Sequence, residues 1–457
     1  MKELLADAAA RATQYREGID SRRVVPTSED VTRVEALGGP LPQHPSDPAE
    51  VIALLDEAGS PATVASAGGR YFGFVTGGSL PAALAANWLA GAWDQNAALR
   101  VMSPAAAVIE EIALEWILDL LGLPRVCGAG FVTGATMANF TCLAAARHAL
   151  LARAGWDVEE NGLFEAPAIR VVVGGEVHVS LLKALALLGL GRSRVMKVAA
   201  DAQGRMKAEA LPPLDDRTIV CIQAGNVNTG AFDPAGEICA RARKATAWVH
   251  VDGAFGLWAA ASAAYKHLAS GTVGADSWTV DCHKWLNVPY DSGLAVVREP
   301  EHLRAAMAFG AACLPSGEMR EPAHHVPEAS RRARGIEVWA ALRSLGREGL
   351  AAMIERNCRL AGRFADGLRG AGYSVLNEVV LNQVLVSFGE DQFTKRVIAD
   401  VQNDGVCWCG GTQWQGRAAM RISVSSWKTT EDDVDRSLAA IVRVARVHGG
   451  AQRSTSR

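Results

Sequence analysis

Two rhythms of apolar residues divide this chain. Between about residues 125 and 300, short β-branched runs such as "IRVVVGGEV", "TIVCIQAG", "ATAWVHVD" and "SWTVDC" alternate with stretches of helical period such as "SLLKALALLGLG" and "PAGEICARARKA". Continuous apolar runs of this length suit strands buried on both faces, and helices between them predict an α/β domain with a mainly parallel sheet. The first 65 residues read as helical, broken by prolines in "SRRVVPTSED" and "PLPQHPSDP", and offer no strand core. Such an arm has to pack on something else. Beyond about residue 330 a long helical region leads to strands near "VLVSF" and "AMRISVS". A closing helix follows, whose Thr430 and Asp433 have the spacing of a capping box. The predicted organisation is an arm over 1–65, a large domain over 66–325, a smaller α+β domain over 326–450 and a tail over 451–457.

Charge and cysteine usage narrow the partners. The net charge is −3 and the basic residues are dispersed, which argues against a nucleic-acid stripe and against a polybasic membrane patch. A small molecule is the expected partner. The nine cysteines form no paired framework. Cys407 and Cys409 are close together but lack the second pair or the histidines of a zinc site, so no metal is expected. The N-terminus lacks the apolar block of a signal peptide, so a soluble, cytoplasmic protein with reduced thiols is expected.

Ligands of open parallel sheets gather at the carboxyl ends of the strands, so polar residues there carry the chemistry. "ATAWVHVD" ends in Asp252, "SWTVDC" runs into His283 and Lys284, "IRVVVGGEVH" ends at His178, and "GFVT" enters the turn Gly134, Ala135, Thr136. A lysine amine, a carboxylate, a flat imidazole and the free N–H groups of a helix start are together what pyridoxal phosphate requires. The amine forms an imine with the aldehyde, the carboxylate holds the ring nitrogen protonated, the imidazole lies against the ring, and the N–H groups receive the phosphate. Singly, each of these residues has an ordinary structural explanation; their joint occurrence points to the cofactor. The competing glycine-rich run "GLGLGRS" follows a helix rather than a strand and so reads as a helix end, not a dinucleotide loop.

At these residues the chain resembles the group II pyridoxal-phosphate-dependent decarboxylases, which include aromatic amino acid and glutamate decarboxylases. The similarity extends from "RRVVP" through "RYFGFVTGGSLPAALAANWLAGA", "SPAAAVIEEIALEWILDLLGLP", "HVDGAFG" and "HKWLNVPYDSG" to "SRRARGIEVWAALRSLGREGL". The resemblance implies an aspartate-aminotransferase-like fold (PLP fold type I) and a homodimer with an interfacial active site and a swapped arm. It also implies roles: Lys284 for the imine, Asp252 for the ring nitrogen, Ala254 beneath the ring, His178 stacked upon it, Ala135 and Thr136 at the phosphate, and His283 before the lysine.

Three departures accompany it. Asn226 in "QAGNVNTG" replaces a threonine near the cofactor, and Asp281 stands where the aromatic amino acid decarboxylases have asparagine. The segment "CLPSGEMREPAHHVPEASRR" contains no tyrosine, although the family's mobile loop uses one to return a proton to Cα. His324 and His325 are the replacement candidates by chemistry. Decarboxylation of an L-amino acid is the expected reaction. Carbon–carbon cleavage of a β-hydroxy amino acid, transamination with Arg421 clamping the carboxylate, and a non-catalytic cofactor binder are the alternatives. Tyr71 and Phe72, with Phe74, Trp88 and Trp93, leave an aromatic substrate open, and Arg70 leaves an acidic one open.

Overall fold

The computed structural model describes residues 1–308 and 319–454. They form two compact units, one of Gly77–Arg359 with Asn377–Gln383, the other of Met1–Thr76, Leu360–Leu376 and Val384–Arg457.

The larger unit is built on seven strands: β1 (Gly128–Val132), β2 (Arg170–Gly174), β3 (Met196–Val198), β4 (Thr218–Gln223), β5 (Trp248–Asp252), β6 (Ser277–Asp281) and β7 (Gly293–Val297). They lie in the order β1-β7-β6-β5-β4-β2-β3. Pairing is parallel from β6 through β5, β4 and β2 to β3, as the alternating pattern predicts. The departure is β7, which is antiparallel to both β6 and β1. The link from Asp281 to Gly293 is too short for a helical crossover, so the chain turns back beside β6. Because β7 is reversed against both neighbours, β1 runs with the parallel strands, and the polar strand ends share one edge.

Every residue of β1, β4, β5, β6 and β7 is buried, which is why these segments read as unbroken apolar runs. Helix α1 (Pro104–Leu120) precedes β1, α2 (Ala135–Arg153) follows it, and α3 (Val179–Leu187) follows β2. The inner face of α2 is small, with Ala138, Cys142, Ala145, Ala146 and Ala149 fully buried, so its backbone can lie close to the sheet.

In the smaller unit four strands, β8 (Ser374–Val375), β9 (Gln383–Ser387), β10 (Gly410–Trp414) and β11 (Arg417–Ser423), form a sheet in the order β10-β11-β9-β8. Helix Glu431–Ser454 begins with the expected capping box: Asp433 N–H donates to Thr430 Oγ1 at 3.2 Å and Thr430 N–H to Asp433 Oδ2 at 3.0 Å. The N-terminal segment belongs to this unit through Val24 N–H on the Gly405 carbonyl (2.9 Å) and Arg23 on the Asn403 carbonyl (2.6 Å).

One buried charge cluster braces the larger unit. Glu110 of α1 accepts from Arg331 at 3.1 and 2.9 Å and from Arg320 at 2.8 Å. The same guanidinium groups donate to the Phe131 and Ala129 carbonyls of β1. Burial alone would push the Glu110 carboxyl up, but Arg331 and Arg320 outweigh it and hold it below the usual carboxylate value. Removing one partner strands the others without water, so Glu110→Ala should lower the unfolding free energy by about 3–5 kcal/mol, read as a lower urea midpoint at unchanged slope. The cluster's contribution is complete above the unfolded glutamate pKa and disappears as pH falls through the depressed native value, so the deficit of the variant should shrink in acid.

Candidate active site

The shared edge of the sheet collects the polar residues. β5 ends in Asp252 and the adjacent β6 in Asp281, which is 1 % exposed. The turn after β6 carries His283 and Lys284. Lys284 Nζ lies 2.9 Å from Asp281 Oδ2, and His283 Nε2 lies 3.7 Å from the same oxygen. Burial pushes the Lys284 ammonium down, but Asp281, through charge and hydrogen bond, with Asp252 and Tyr290 adding to it, brings the net shift to the raised side. The acid at position 281, where the resemblance to aromatic amino acid decarboxylases leads one to expect asparagine, is thus the lysine's counter-ion. His283 is fixed by the Ser292 N–H, which donates to Nδ1 at 3.1 Å, and by Tyr290, whose ring centroid is 4.5 Å away.

Gly134 caps α2 directly above this group. A Cβ on it would lie 3.0 Å from His283 Cε1 and 3.5 Å from Asp281 Oδ1. A Cβ on Gly293 would come within 2.5 Å of the Gly134 Cα, so the turn into α2 and the start of β7 touch backbone to backbone. The structure therefore brings Gly134, Ala135 and Thr136, which open α2, together with Asp281, His283 and Lys284.

Asp252 Oδ1 accepts from the Ala254 N–H at 3.3 Å and Oδ2 from Asn139 Nδ2 at 3.4 Å. Asn226 opens the turn after β4, its Oδ1 accepting from Asn228 N–H (2.9 Å) and Thr229 N–H (3.3 Å). Its buried Nδ2 has no partner among the described residues. His178 caps α3, its Nδ1 facing Ser180 Oγ at 2.7 Å.

Other expected residues sit elsewhere. Phe72 is fully buried, edge-on to Phe364 at 4.9 Å, and so is a core residue of the smaller unit rather than an exposed lining. In the same unit Tyr71 stacks on Trp408 at 5.1 Å, and the exposed Phe74 stacks on that indole from 5.3 Å. Arg70 is buried, with its guanidinium on the Val406 and Asp20 carbonyls and 3.7 Å from Asp433, which leaves it a structural cation. Arg421 lies on β11 opposite Gly410, and burial lowers its pKa. His325 is buried rather than on an exposed loop. Its Nδ1 lies 3.1 Å from the Glu321 carbonyl, and burial, assisted by Arg320, pushes its pKa down to about 3. It is therefore neutral and cannot deliver a proton as an imidazolium. His324 is half-buried in the same short turn. The earlier part of the tyrosine-free segment, residues 313–318, lies outside the described residues.

Asn139 and His250 were not singled out from sequence. His250 stands two residues before Asp252 on a strand buried throughout, so it shares Asp252's face, and a polar residue there has to be paired. That was the available signal.

Pyridoxal phosphate can be tested against these residues. Among the described residues, Asp281 Oδ1, Ser292 Oγ, Trp285 Nε1 and Asn226 Nδ2 are buried polar atoms without a partner, and three of the four lie on β6 or the turn that carries Lys284. Asp252 accepts two N–H donors and retains acceptor capacity for a ring N–H. The first N–H groups of α2 point out of the helix toward the same edge. The cofactor fits. Bound here, it would supply an electron sink conjugated to Cα of an amino acid attached through its amine.

A site of this composition on the edge of a mainly parallel sheet defines a pyridoxal-phosphate enzyme of fold type I. The pyridoxal-dependent decarboxylase conserved domain matches residues 62–389, and the chain belongs to this family, the carboxy-lyases that act on L-amino acids with pyridoxal phosphate. It is 29% identical over 384 residues to an L-2,4-diaminobutyrate decarboxylase of Rhizobium meliloti (strain 1021), covering 80% of this chain and 75% of that protein. An aromatic-L-amino-acid decarboxylase of Bacillus atrophaeus is 23% identical over 468 residues, 97% of this chain and 95% of that one. The crystal structure of Oryza sativa TDC with PLP and tryptamine superposes with a TM-score of 0.89 at 23% identity over 97% of each chain.

Burial of neutral imidazoles predicts that the fold loses stability in acid. Burial pushes His250 down to about 4, the Asp252 charge opposing it weakly, and His325 to about 3. The unfolded imidazoles protonate near pH 6.5. Stability contributed at pH 7 is therefore lost as pH falls from about 6.5 through these native values, on the order of 3 kcal/mol from His250 alone. Urea unfolding at pH 7 and pH 4.5 should show this fall, and His250→Gln should flatten it.

Proposed function

We propose that Lys284 is the residue that holds the cofactor aldehyde, that Asp252 keeps the ring nitrogen protonated, and that His178 lies against the ring. Gly134, Ala135 and Thr136 then receive the phosphate. The observation that carries this reading is the single sheet edge on which all of them meet, with Lys284 held by Asp281 2.9 Å away. With the cofactor bound, Lys284 would hold its aldehyde until a substrate amine took that place, and Asp281 would be the counter-ion of Lys284 whenever the lysine is free and protonated. Decarboxylation requires the carboxylate bond to stand perpendicular to the ring, so the residues that hold the carboxylate decide which bond breaks. With His325 neutral and buried, His324 is the imidazole we assign to Cα reprotonation.

The substrate class we favour is an aromatic L-amino acid. Supporting it is Arg70's engagement with backbone carbonyls, which removes a cation for an acidic side chain. We also infer a homodimer with residues 1–65 exchanged between subunits. Helix Pro48–Ala62 leaves Val51, Leu54 and Leu55 exposed, and helix Pro81–Trp93 leaves Trp88, Leu89 and Trp93 exposed, as apolar surface that a second copy would cover. The eight described cysteines are free thiols, which supports a reducing, cytoplasmic setting. Among the described residues no helix is long and apolar enough to cross a membrane.

The absence of tyrosine between residues 313 and 332 favours a second reading, in which another bond at Cα is broken, by carbon–carbon lysis or transamination. A pool of carboxyl-labelled L-amino acids incubated with holoenzyme separates the two. Labelled carbon dioxide with a matching arylalkylamine, abolished in a folded Lys284→Ala variant, is the expected result. Keto acids or aldehydes without labelled gas would replace decarboxylation by the second reading, and gas from a non-aromatic substrate would correct the substrate class alone.

A further inference from the structure

Asp252 is held by a chain of neutral hydrogen bonds. Its Oδ2 lies 3.4 Å from Asn139 Nδ2, and the same amide nitrogen lies 3.5 Å from Ser180 Oγ, itself 2.7 Å from His178 Nδ1. On the other side Asn139 Oδ1 lies 2.8 Å from His250 Nε2, and His250 Nδ1 lies 2.9 Å from Ser277 Oγ. Trp248 Nε1 donates to that hydroxyl at 2.9 Å. Asn139, His250 and Ser277 are fully buried, so water does not substitute for any of these partners.

Donor and acceptor parity gives the chain one direction. The Asp252 carboxylate can only accept, so the Asn139 NH2 is turned to it and to Ser180, and Asn139 Oδ1 faces His250 Nε2. Neutral His250 therefore carries its proton on Nε2 and donates it to Asn139 Oδ1. Its bare Nδ1 then accepts from the Ser277 hydroxyl, which in turn accepts from the Trp248 indole N–H. Ser180, accepting from the amide, donates its own proton to His178 Nδ1. Flipping the amide would set its oxygen against a carboxylate and its N–H against the His250 N–H, so the opposite orientation is closed.

We propose that Asn139 is a positioning residue for the cofactor, orienting the Asp252 carboxylate toward the ring nitrogen and tying it to the ring-facing His178 and to the His250 tautomer. The proposal rests on the assignment of Asp252 to the ring nitrogen. Asn139 stands one turn inside α2, the helix whose first residues receive the phosphate, so a single helix sets both ends of the cofactor.

The titratable groups around this amide and Asp252 are His250 on β5, Lys284 after β6 with its neighbours Asp281 and His283, Cys221 on β4, Cys142 on α2 and, through Ser180, His178 on α3. Burial keeps His250 near 4 and Cys142 near 12 and raises Cys221, and Lys284 is raised. Between pH 6 and 9 a carboxyl introduced at position 139 is therefore the added titrating group, and the wild type measured at each pH subtracts the others.

The test is pyridoxal phosphate affinity, read by equilibrium dialysis against apoprotein, with melting temperature as the check on folding. Asn139→Leu should weaken binding about tenfold or more, equally at all pH, and should remove the Nε2–H tautomer of His250 from the ¹⁵N spectrum of the apoprotein. Asn139→Asp should weaken it as strongly at pH 9 and recover toward wild type at pH 6, where the new carboxyl carries a proton and donates again. Wild-type affinity in a folded Asn139→Leu variant, or a pH-independent loss in Asn139→Asp, would overturn the proposal. Should Asn139→Leu fail to fold, the near-isosteric Asn139→Asp decides by its pH profile. Asp252→Ala is the separating control: unchanged affinity there would remove Asp252 itself from the site, whereas a loss there with intact Asn139 variants would remove the positioning role alone.

Discussion

Two carboxylates buried at the ends of neighbouring strands impose the constraint around which the site is organised. Asp252 and Asp281 lie on β5 and β6, are 6 % and 1 % exposed, and cannot be left to water. A buried charge costs several kcal/mol unless it is paired or hydrogen-bonded, and the two are satisfied in opposite ways. Asp281 takes a cation, Lys284, at 2.9 Å. Asp252 takes neutral N–H donors from Ala254 and Asn139. The difference between an ion pair and a hydrogen-bonded carboxylate separates the two environments within one strand spacing.

Much of this was legible in the sequence because it lies in uninterrupted local patterns. β2, β4, β5 and β6 are short apolar runs, and the residues that end them, or that follow within a few positions, are those that meet at the sheet edge. The capping box at Thr430 was readable for the same reason, since its partners are three residues apart. β7 was not anticipated: "GLAVV" is too short to carry a pattern of its own, and its direction follows from the length of the preceding turn.

What stayed hidden depends on contacts between distant segments. Whether Phe72 or Phe74 is exposed turns on the left-handed backbone at Phe74 (φ 51°) and on where Trp408 packs, neither of which periodicity encodes. His325 looked like a loop residue because it lies between prolines in a segment without strand or helix periodicity, yet Arg320 and Arg331 draw the segment around it onto β1 through Glu110 and the strand's carbonyls. Asn139 was masked by its setting in an alanine-rich helix face, where a single polar residue gives no periodic signal.

The turn between β6 and β7 has a mechanical consequence. Cys282 N–H and His283 N–H both donate to the Ser292 carbonyl, at 3.0 and 3.1 Å, and Trp258 Nε1 donates to the Asp281 carbonyl at 3.0 Å. The flanking strands are paired along their whole length and buried. Lys284 is therefore a lever mounted on a rigid bracket: its reach is set by rotation about the bonds of its own four-carbon stem, while the backbone pivot stays fixed. Such a mount tolerates no insertion, because lengthening the turn would release the pivot that keeps the amine's arc centred on one spot.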